Sequence, residues 1–268
     1  MPSTPRHHRQ AFTLVEMSIV LAIIGILVGA IVAGASLLRQ SEVQTIISDY
    51  TKYSTAVAQF TRQYGGQPGD LLDATNYWGD DNTNCPDAAV TNTTPGTCNG
   101  NGDGQIITAT GAVGANTNEP FRAWQHLQLA GFVDGSFSGV TAGTIGTTDL
   151  TAAPGVNIPR SRITNAGWSL FHYNAVDAAN RYNQNVGNFL MFGAVNGNKL
   201  TRGATIKPDE AFQVDKKIDD ARPAFGRIVT LKPAFLTNCA TSATDATAEY
   251  NVANTTTACS LMMGIPTN

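Results

Sequence analysis

Charged side chains are scarce in this sequence. Asp, Glu, Lys and Arg make up 14% of the 268 residues, and the formal net charge at pH 7 is -3. A protein that binds nucleic acid through a basic surface carries a clear excess of Lys and Arg. The balance here argues against that class, so we expect no nucleic-acid partner.

Histidine and the common catalytic motifs are also lacking. The chain has four His residues, and two of them, His7 and His8, precede the long apolar segment described below. His126 and His172 lie in no metal-binding or nucleophile motif, and there is no GxSxG, HExxH or P-loop sequence. The sequence therefore predicts that the protein is not an enzyme.

Only four cysteines occur, and all of them follow the apolar segment. They form two pairs that are close in sequence, and short loops close most readily in the unfolded chain. We therefore expect disulfides between Cys85 and Cys98 and between Cys239 and Cys259, formed in an oxidising compartment. A zinc site is the alternative, although the spacings are not those of CxxC motifs.

One long apolar run contrasts with this polar composition. Residues 17–38 contain no charged side chain. As a helix this run would measure roughly 33 Å, enough to cross a hydrocarbon core of about 30 Å. Arg6 and Arg9 precede the run, and the positive-inside rule places them in the cytoplasm. The run predicts a single-pass membrane anchor whose following domain is exported.

The residues around the start of this run form a motif. A basic leader, MPSTPRHHRQA, is followed by FTLVE and then by the apolar run. This arrangement resembles the N-terminus of type IV prepilins and type II secretion pseudopilins. A secretory signal peptide is cut after its apolar core, but here the candidate site precedes the core, so the core would remain in the mature protein.

The resemblance implies a role for each residue of the motif. A prepilin peptidase would remove residues 1–11 by cutting between Ala11 and Phe12, and it would methylate the new amine of Phe12. Most members of the family have Gly before the cut, where this chain has Ala11. In the filament, the Glu16 carboxylate would pair with the Phe12 amine of the neighbouring subunit and so set the axial register. The alternative is that Glu16 only reaches the lipid headgroups in a plain single-span protein.

After the apolar run the pattern changes to a helical stripe. Apolar residues recur from Val43 to Tyr64 at spacings of three and four, which predicts an amphipathic helix. Together with the resemblance, this predicts an α+β, pilin-like fold in which a long N-terminal helix packs on an antiparallel β-sheet in a loop-rich domain. We divide the chain into a leader (1–11), a transmembrane or filament-core half of the helix (12–38), an amphipathic half (39–65) and a globular periplasmic or extracellular domain (66–268).

Local patterns within that domain predict its other elements. Two further helices are expected at 119–132 and 208–220, each with Pro in its first turn. Runs rich in aromatic and β-branched residues predict strands at 168–173, 188–195 and 225–231.

A polar loop of the domain resembles half of a calcium site. Asn99, Asn101 and Asp103 alternate with Gly, as in the first half of an EF-hand loop. The bidentate Glu that should complete such a loop is replaced by Thr110. Three other carboxylates could supply the missing charge, namely Asp80, Asp81 and Glu119. The alternative is a metal-free turn rich in Gly and Asn. Because major pseudopilins bind calcium in a loop, the resemblance keeps the calcium hypothesis open.

The resemblance implies a structural function. The protein would be a subunit of a type IV pilus or a type II secretion pseudopilus, held first in the inner membrane and then stacked with pilin-like subunits into a homo- or hetero-oligomeric filament. Its partners would be the prepilin peptidase, the inner-membrane assembly platform and its ATPase. The first alternative is a minor tip pilin that adheres to a ligand. The second is a membrane-anchored periplasmic enzyme, for which Glu16 would be dispensable.

Overall fold

The structure is a computed structural model, and it describes residues 12–81, 96–107, 119–142, 151–173, 179–182, 186–197 and 200–266. The chain divides into two compact units. We call residues 1–42 the anchor unit and residues 43–268 the domain unit.

The first helix, α1 (Leu14–Tyr64), contributes residues to both units. Within the domain unit, the residues of the predicted stripe are buried from Val43 to Phe60, with Ile46 and Phe60 at 0% exposure, and Tyr64 at its end is half-buried. The same stripe continues through Val43, Tyr50, Tyr53 and Val57. This half of α1 is therefore an amphipathic helix that covers the core of its own domain.

Three further α-helices and four strands follow within the described residues. The helices are α2 (Ala74–Trp78), α3 (Glu119–Leu129) and α4 (Pro208–Ile218), and a short 3-10 helix spans Asp245–Thr247. The strands are β1 (Ala166–His172), β2 (Asn188–Ala194), β3 (Ile228–Val229) and β4 (Leu261–Gly264). They form one antiparallel sheet in the order β1-β2-β4-β3. This confirms the predicted fold class, α+β with a long N-terminal helix and an antiparallel sheet.

Strand β4 was not predicted, although it lies between β2 and β3 in the sheet. It consists of LMMG, a short run with little β-branched or aromatic character. Its residues are buried, and both of its edges pair with other strands, since Met262 pairs with Met191 of β2 and with Val229 of β3. Tertiary pairing rather than local propensity therefore makes this segment a strand.

Aromatic side chains join α1 to the sheet and to α3. The Tyr53 ring makes edge contacts with Trp124 of α3 and Trp168 of β1, at centroid distances of 5.0 and 5.7 Å. Trp168 in turn lies 4.8 Å from Phe192 of β2. The Tyr50 hydroxyl donates a hydrogen bond of 2.6 Å to the carbonyl of Gly264 at the end of β4. These buried rings fix the face of α1 that the sheet covers.

Candidate assembly site at the N-terminus

The first turn of α1 is closed by a reciprocal pair of side chains, Thr13 and Glu16. The Thr13 backbone N–H and hydroxyl both donate to Glu16 Oε2, at 2.8 and 2.9 Å. The Glu16 N–H donates back to the Thr13 hydroxyl at 3.2 Å. This is a capping box, which supplies partners for backbone groups that a helix start leaves unpaired. The pattern T-x-x-E, Thr13 to Glu16, is the sequence signal of this cap.

The capping box gives Glu16 a local role beside the one implied by the resemblance. Within the described residues, the hydrogen bonds to its carboxylate go to Oε2 and come from Thr13. Oε1 is therefore open to a further donor. Phe12, the residue whose amine cleavage would free, precedes Thr13 and is 77% exposed. Ala11, on the other side of the candidate cut, lies outside the described residues.

The helix that follows presents apolar side chains outward. A stretch from Leu14 to Ile31 has a mean hydropathy of 2.6 and is long and apolar enough to cross a membrane. None of this stretch is buried inside the protein, and Ile26 and Ile31 are about 70% exposed, at 72 and 70%. An apolar helix with an open surface needs lipid or other helices around it. Gly25 and Gly29, four residues apart, allow close approach of another helix.

The loop predicted as half of a calcium site is folded around a carboxylate. The N–H groups of Gly102 and Gly104 donate to the two oxygens of Asp70, at 2.6 and 2.7 Å. Both glycines have a positive φ, a conformation that directs these N–H groups towards Asp70. The Asn101 and Asp103 side-chain oxygens each accept an N–H two residues further along the loop.

Two other side chains of the calcium hypothesis also accept hydrogen bonds. The Asn99 Oδ1 atom accepts a hydrogen bond from the Thr75 N–H at 2.9 Å. Glu119, one of the carboxylates expected to complete the site, does lie beside this loop, where it accepts N–H groups from Asn101 and Ile107 at 3.4 and 3.0 Å. Burial raises the pKa of Glu119 to about 8, and the charge of Asp70 adds to that shift. These hydrogen bonds favour the metal-free turn, while calcium binding remains a prediction to be tested.

His126 is a structural side chain at the base of the same loop. Its Nδ1 accepts the Gly69 N–H at 3.0 Å, so the proton of the neutral ring is on Nε2, which lies 2.9 Å from the Thr97 hydroxyl. The ring is fully buried and stacks near Phe60. Burial lowers the pKa of His126 to about 3, and the positive charge of Arg122 lowers it further. A histidine that is buried, neutral and hydrogen-bonded on both nitrogens is not placed to act on a substrate.

One acidic group elsewhere in the described residues has the geometry of metal ligands. Oxygens of Asp215, Asp219 and Asp220 lie within 4.8 Å of one another. All three carboxylates already accept hydrogen bonds from the chain. Asp215 accepts one from the Tyr250 hydroxyl at 2.8 Å and Asp219 one from the Ile228 N–H at 2.8 Å. Asp220 accepts one from the Arg222 N–H at 2.9 Å. These bonds tie α4 to β3 and to the C-terminal segment, which is a structural role.

The second predicted disulfide is present. Cys239 and Cys259 are bonded to each other and are fully buried. Cys98 is buried as well, but Cys85 lies outside the described residues, so the pairing of Cys85 with Cys98 stays a prediction.

Comparison with known proteins identifies the N-terminal motif. Residues 6–32 match the family described as the prokaryotic N-terminal methylation motif, which is the prepilin-type signature. The N-terminus of the chain is therefore similar to that of prepilins. No curated protein and no solved structure matches it significantly. The prepilin signature covers Ala11, Phe12 and Glu16, and with them the start of the exposed apolar helix.

Proposed function

We propose that this prepilin-like protein is a structural subunit of a type IV pilus or a type II secretion pseudopilus. Its N-terminal helix would form the contacts with other subunits through which the filament assembles. The proposal rests on two observations together: the chain carries the methylation motif, and an outward-facing apolar helix begins within it at Leu14. The first half of this helix would rest in lipid and later lie among the same helices of other subunits. In both environments its apolar side chains are out of water.

Cleavage between Ala11 and Phe12 would leave the new amine four residues before Glu16. Methylation keeps the charge of that amine, so it can pair with a carboxylate. Because Thr13 holds Glu16 Oε2, the carboxylate is positioned before a neighbour arrives and Oε1 can accept the Phe12 amine of that neighbour. A subunit shifted by one helical turn would leave both charges unpaired in an apolar core, which strongly disfavours the wrong register.

Substitutions at two positions separate the register role from the capping role. Gln can replace Glu in a capping box, so Glu16→Gln should keep the first turn of α1 while removing the negative charge. We expect this variant to be cleaved and to remain in the membrane, but to appear in sheared filaments at less than about a tenth of the wild-type amount, the change that about 1.4 kcal/mol produces. Thr13→Ala is the matched control, because it removes the capping partner and keeps the charge.

Two results would contradict this proposal, one for the role of Glu16 and one for processing. If Glu16→Gln assembles at the wild-type level while Glu16→Ala does not, the carboxylate serves only to cap the helix. If N-terminal sequencing of the mature protein finds Met1 instead of methylated Phe12, the chain is not processed as a prepilin at all.

A minor tip pilin with an adhesive role is the second candidate. It is favoured by the size of the domain unit, residues 43–268, in which much of the described chain outside the helices and strands forms loops. A tip protein occurs once or a few times in each filament, whereas a major subunit repeats along it. Quantitative mass spectrometry of sheared filaments, compared with the most abundant subunit, separates the two.

A further inference from the structure

The turn before β1 carries two arginines on an otherwise uncharged surface segment. The residues 160–165 read RSRITN, and Arg160 and Arg162 are both exposed. The turn is held by its own backbone, since the Ser161 N–H donates to the carbonyl of Ala166 at 3.0 Å and the Ala166 N–H donates to that of Ile163 at 3.1 Å. The arginines are thus displayed on a fixed turn.

No acidic residue occurs between 150 and 176 in the sequence, although Asp and Glu outnumber Lys and Arg in the whole chain, 20 to 17. The Arg160 guanidinium donates to the carbonyl of Pro154 at 3.1 Å. Within the described residues, Arg162 makes neither a hydrogen bond nor a salt bridge. The two arginines line one groove, whose other wall includes Ala194 and Val195.

Apolar surface accompanies these charges. Gly155 lies against the Arg160 guanidinium, and the next residue, Val156, is 54% exposed. Ile163, between the exposed positions of the turn, is half-buried. Cations mixed with exposed apolar side chains are typical of protein surfaces that meet the headgroup region of a membrane.

Asp49 of α1 lies close to β1, the strand that follows this turn. Trp168 of β1 donates its indole N–H to Asp49 at 3.3 Å. Burial raises the pKa of the Asp49 carboxyl, while that hydrogen bond and the charge of the nearby Arg162 act to lower it. Asp49 lies six residues after Val43, where the chain enters the domain unit from the anchor. The two arginines therefore lie near the part of the domain unit in which its chain begins.

We propose that Arg160 and Arg162 bind the phosphate groups of anionic phospholipids in the membrane that holds the anchor, before the subunit enters a filament. Guanidinium groups bind phosphate with two parallel hydrogen bonds and are attracted to an anionic membrane surface. The contact would hold the domain against the membrane and would be released when the subunit is extracted. This inference rests on the membrane anchoring in the proposed function.

Hydrogen exchange of the protein after removal of the leader, residues 12–268, tests the proposal. The protein is placed in vesicles of phosphatidylcholine alone or of phosphatidylcholine with phosphatidylglycerol, and exchange is measured by mass spectrometry in the peptide that covers 160–165. With the anionic lipid we expect exchange to slow by up to roughly 30-fold, about fivefold for each arginine. About 1 M salt should remove most of the difference by screening.

Variants assign the effect to the two side chains. Arg160→Gln together with Arg162→Gln should abolish the lipid dependence. Arg222→Gln is the matched control, because Arg222 is also exposed but lines a different groove with Asp209 and Tyr250. It should respond to the anionic lipid as the wild type does.

Three outcomes would overturn the proposal. The first is equal exchange at 160–165 in both kinds of vesicle for protein that is fully inserted. The second is a lipid effect that the double variant retains. The third is protection that appears only in assembled filaments, because an acidic surface of a neighbouring subunit would then be the partner. Failure of the protein to insert into vesicles would instead refute the anchoring in the proposed function.

Discussion

His126 makes the stability of the domain depend on pH in a direction that the structure fixes. In the folded protein its ring is buried and neutral, with Nδ1 accepting the Gly69 N–H and with a pKa lowered to about 3 by burial and by Arg122. In the unfolded chain a histidine has a pKa of about 6.5. Below that pH the unfolded state binds a proton that the folded state does not, so acid favours unfolding through this residue.

The size of the effect follows from the two pKa values. Each pH unit below about 6.5 lowers the free energy of unfolding by about 1.4 kcal/mol, so the contribution at pH 5 is about 2 kcal/mol. The folded pKa of about 3 means that the native state stays unprotonated throughout this window. Glu119 and Asp215 act in the opposite direction, because burial raises their pKa values to about 8 and about 7.

A comparison between the wild type and His126→Asn isolates the histidine. The amide oxygen of Asn can accept the Gly69 N–H, but the variant loses ring contacts with Phe60 and should be less stable at pH 7.5 by about 3 kcal/mol. At pH 5 the difference should shrink to about 1 kcal/mol, because only the wild type pays the cost of a neutral histidine. Glu119 and Asp215 are present in both proteins, so their contributions cancel.

The assay is urea unfolding of the full-length protein in detergent, followed by tryptophan fluorescence at pH 7.5, 6.5 and 5. Trp78 reports on the site directly, since its ring lies 5.3 Å from that of His126. His172→Asn, at the other histidine that follows the leader, controls for the loss of a histidine elsewhere. If the stability difference between wild type and His126→Asn is the same at all three pH values, His126 is not buried in its neutral form.

Three other predictions concern the loop and the C-terminal segment. Through Glu119, the free energy of unfolding should fall by at most about 1.4 kcal/mol per unit as the pH rises from about 4.5 to 8, because the folded state retains a proton that the unfolded state loses. Glu119→Gln should remove this contribution in the same urea assay, and the contributions of His126 and Asp215 cancel because both proteins contain them. Replacing Cys239 and Cys259 with Ser should lower the free energy of unfolding by about 3 kcal/mol, since the disulfide closes a loop with a sequence separation of 20. If the variant is as stable as the wild type under non-reducing conditions, this prediction is wrong. Calcium should leave the melting temperature unchanged, because the side-chain oxygens of Asn101 and Asp103 accept backbone N–H groups of the loop. If calcium raises the melting temperature and a chelator reverses that increase, the calcium hypothesis is supported instead.

The N-terminal region could be predicted from the sequence because its signals are local. The motif consists of neighbouring parts of the chain: a leader, Phe12, Glu16 and an uncharged run. The length of that run as a helix can be compared with the thickness of a bilayer. The stripe from Val43 to Tyr64 has helical period, so its buried face was predictable as well. The disulfide between Cys239 and Cys259 followed from the low cost of closing a short loop.

The interior of the domain could not be predicted in the same way, because it depends on contacts between distant parts of the chain. Asp70 appeared in the sequence as an ordinary turn residue, yet it receives N–H groups from Gly102 and Gly104. His126 belongs to no metal-binding or nucleophile motif in the sequence, and its burial became visible only in the fold. Neither the loop that closes over Asp70 nor the β4 pairing has a periodic signal, since both arise from chain segments brought together by the fold.

The capping box changes what the resemblance alone implied for Glu16. A carboxylate in an apolar environment needs hydrogen-bond donors at all times, but the amine of a neighbouring subunit is present only after assembly. Thr13 supplies two donors from within the same turn, so the carboxylate has partners while the subunit is still in the membrane. In the proposed filament, the neighbour's amine would then add a charged partner at Oε1 without displacing Thr13. Thr13→Ala should therefore impair the unassembled subunit more than the finished filament, which can be measured as faster turnover of the membrane pool with little change in filament stability.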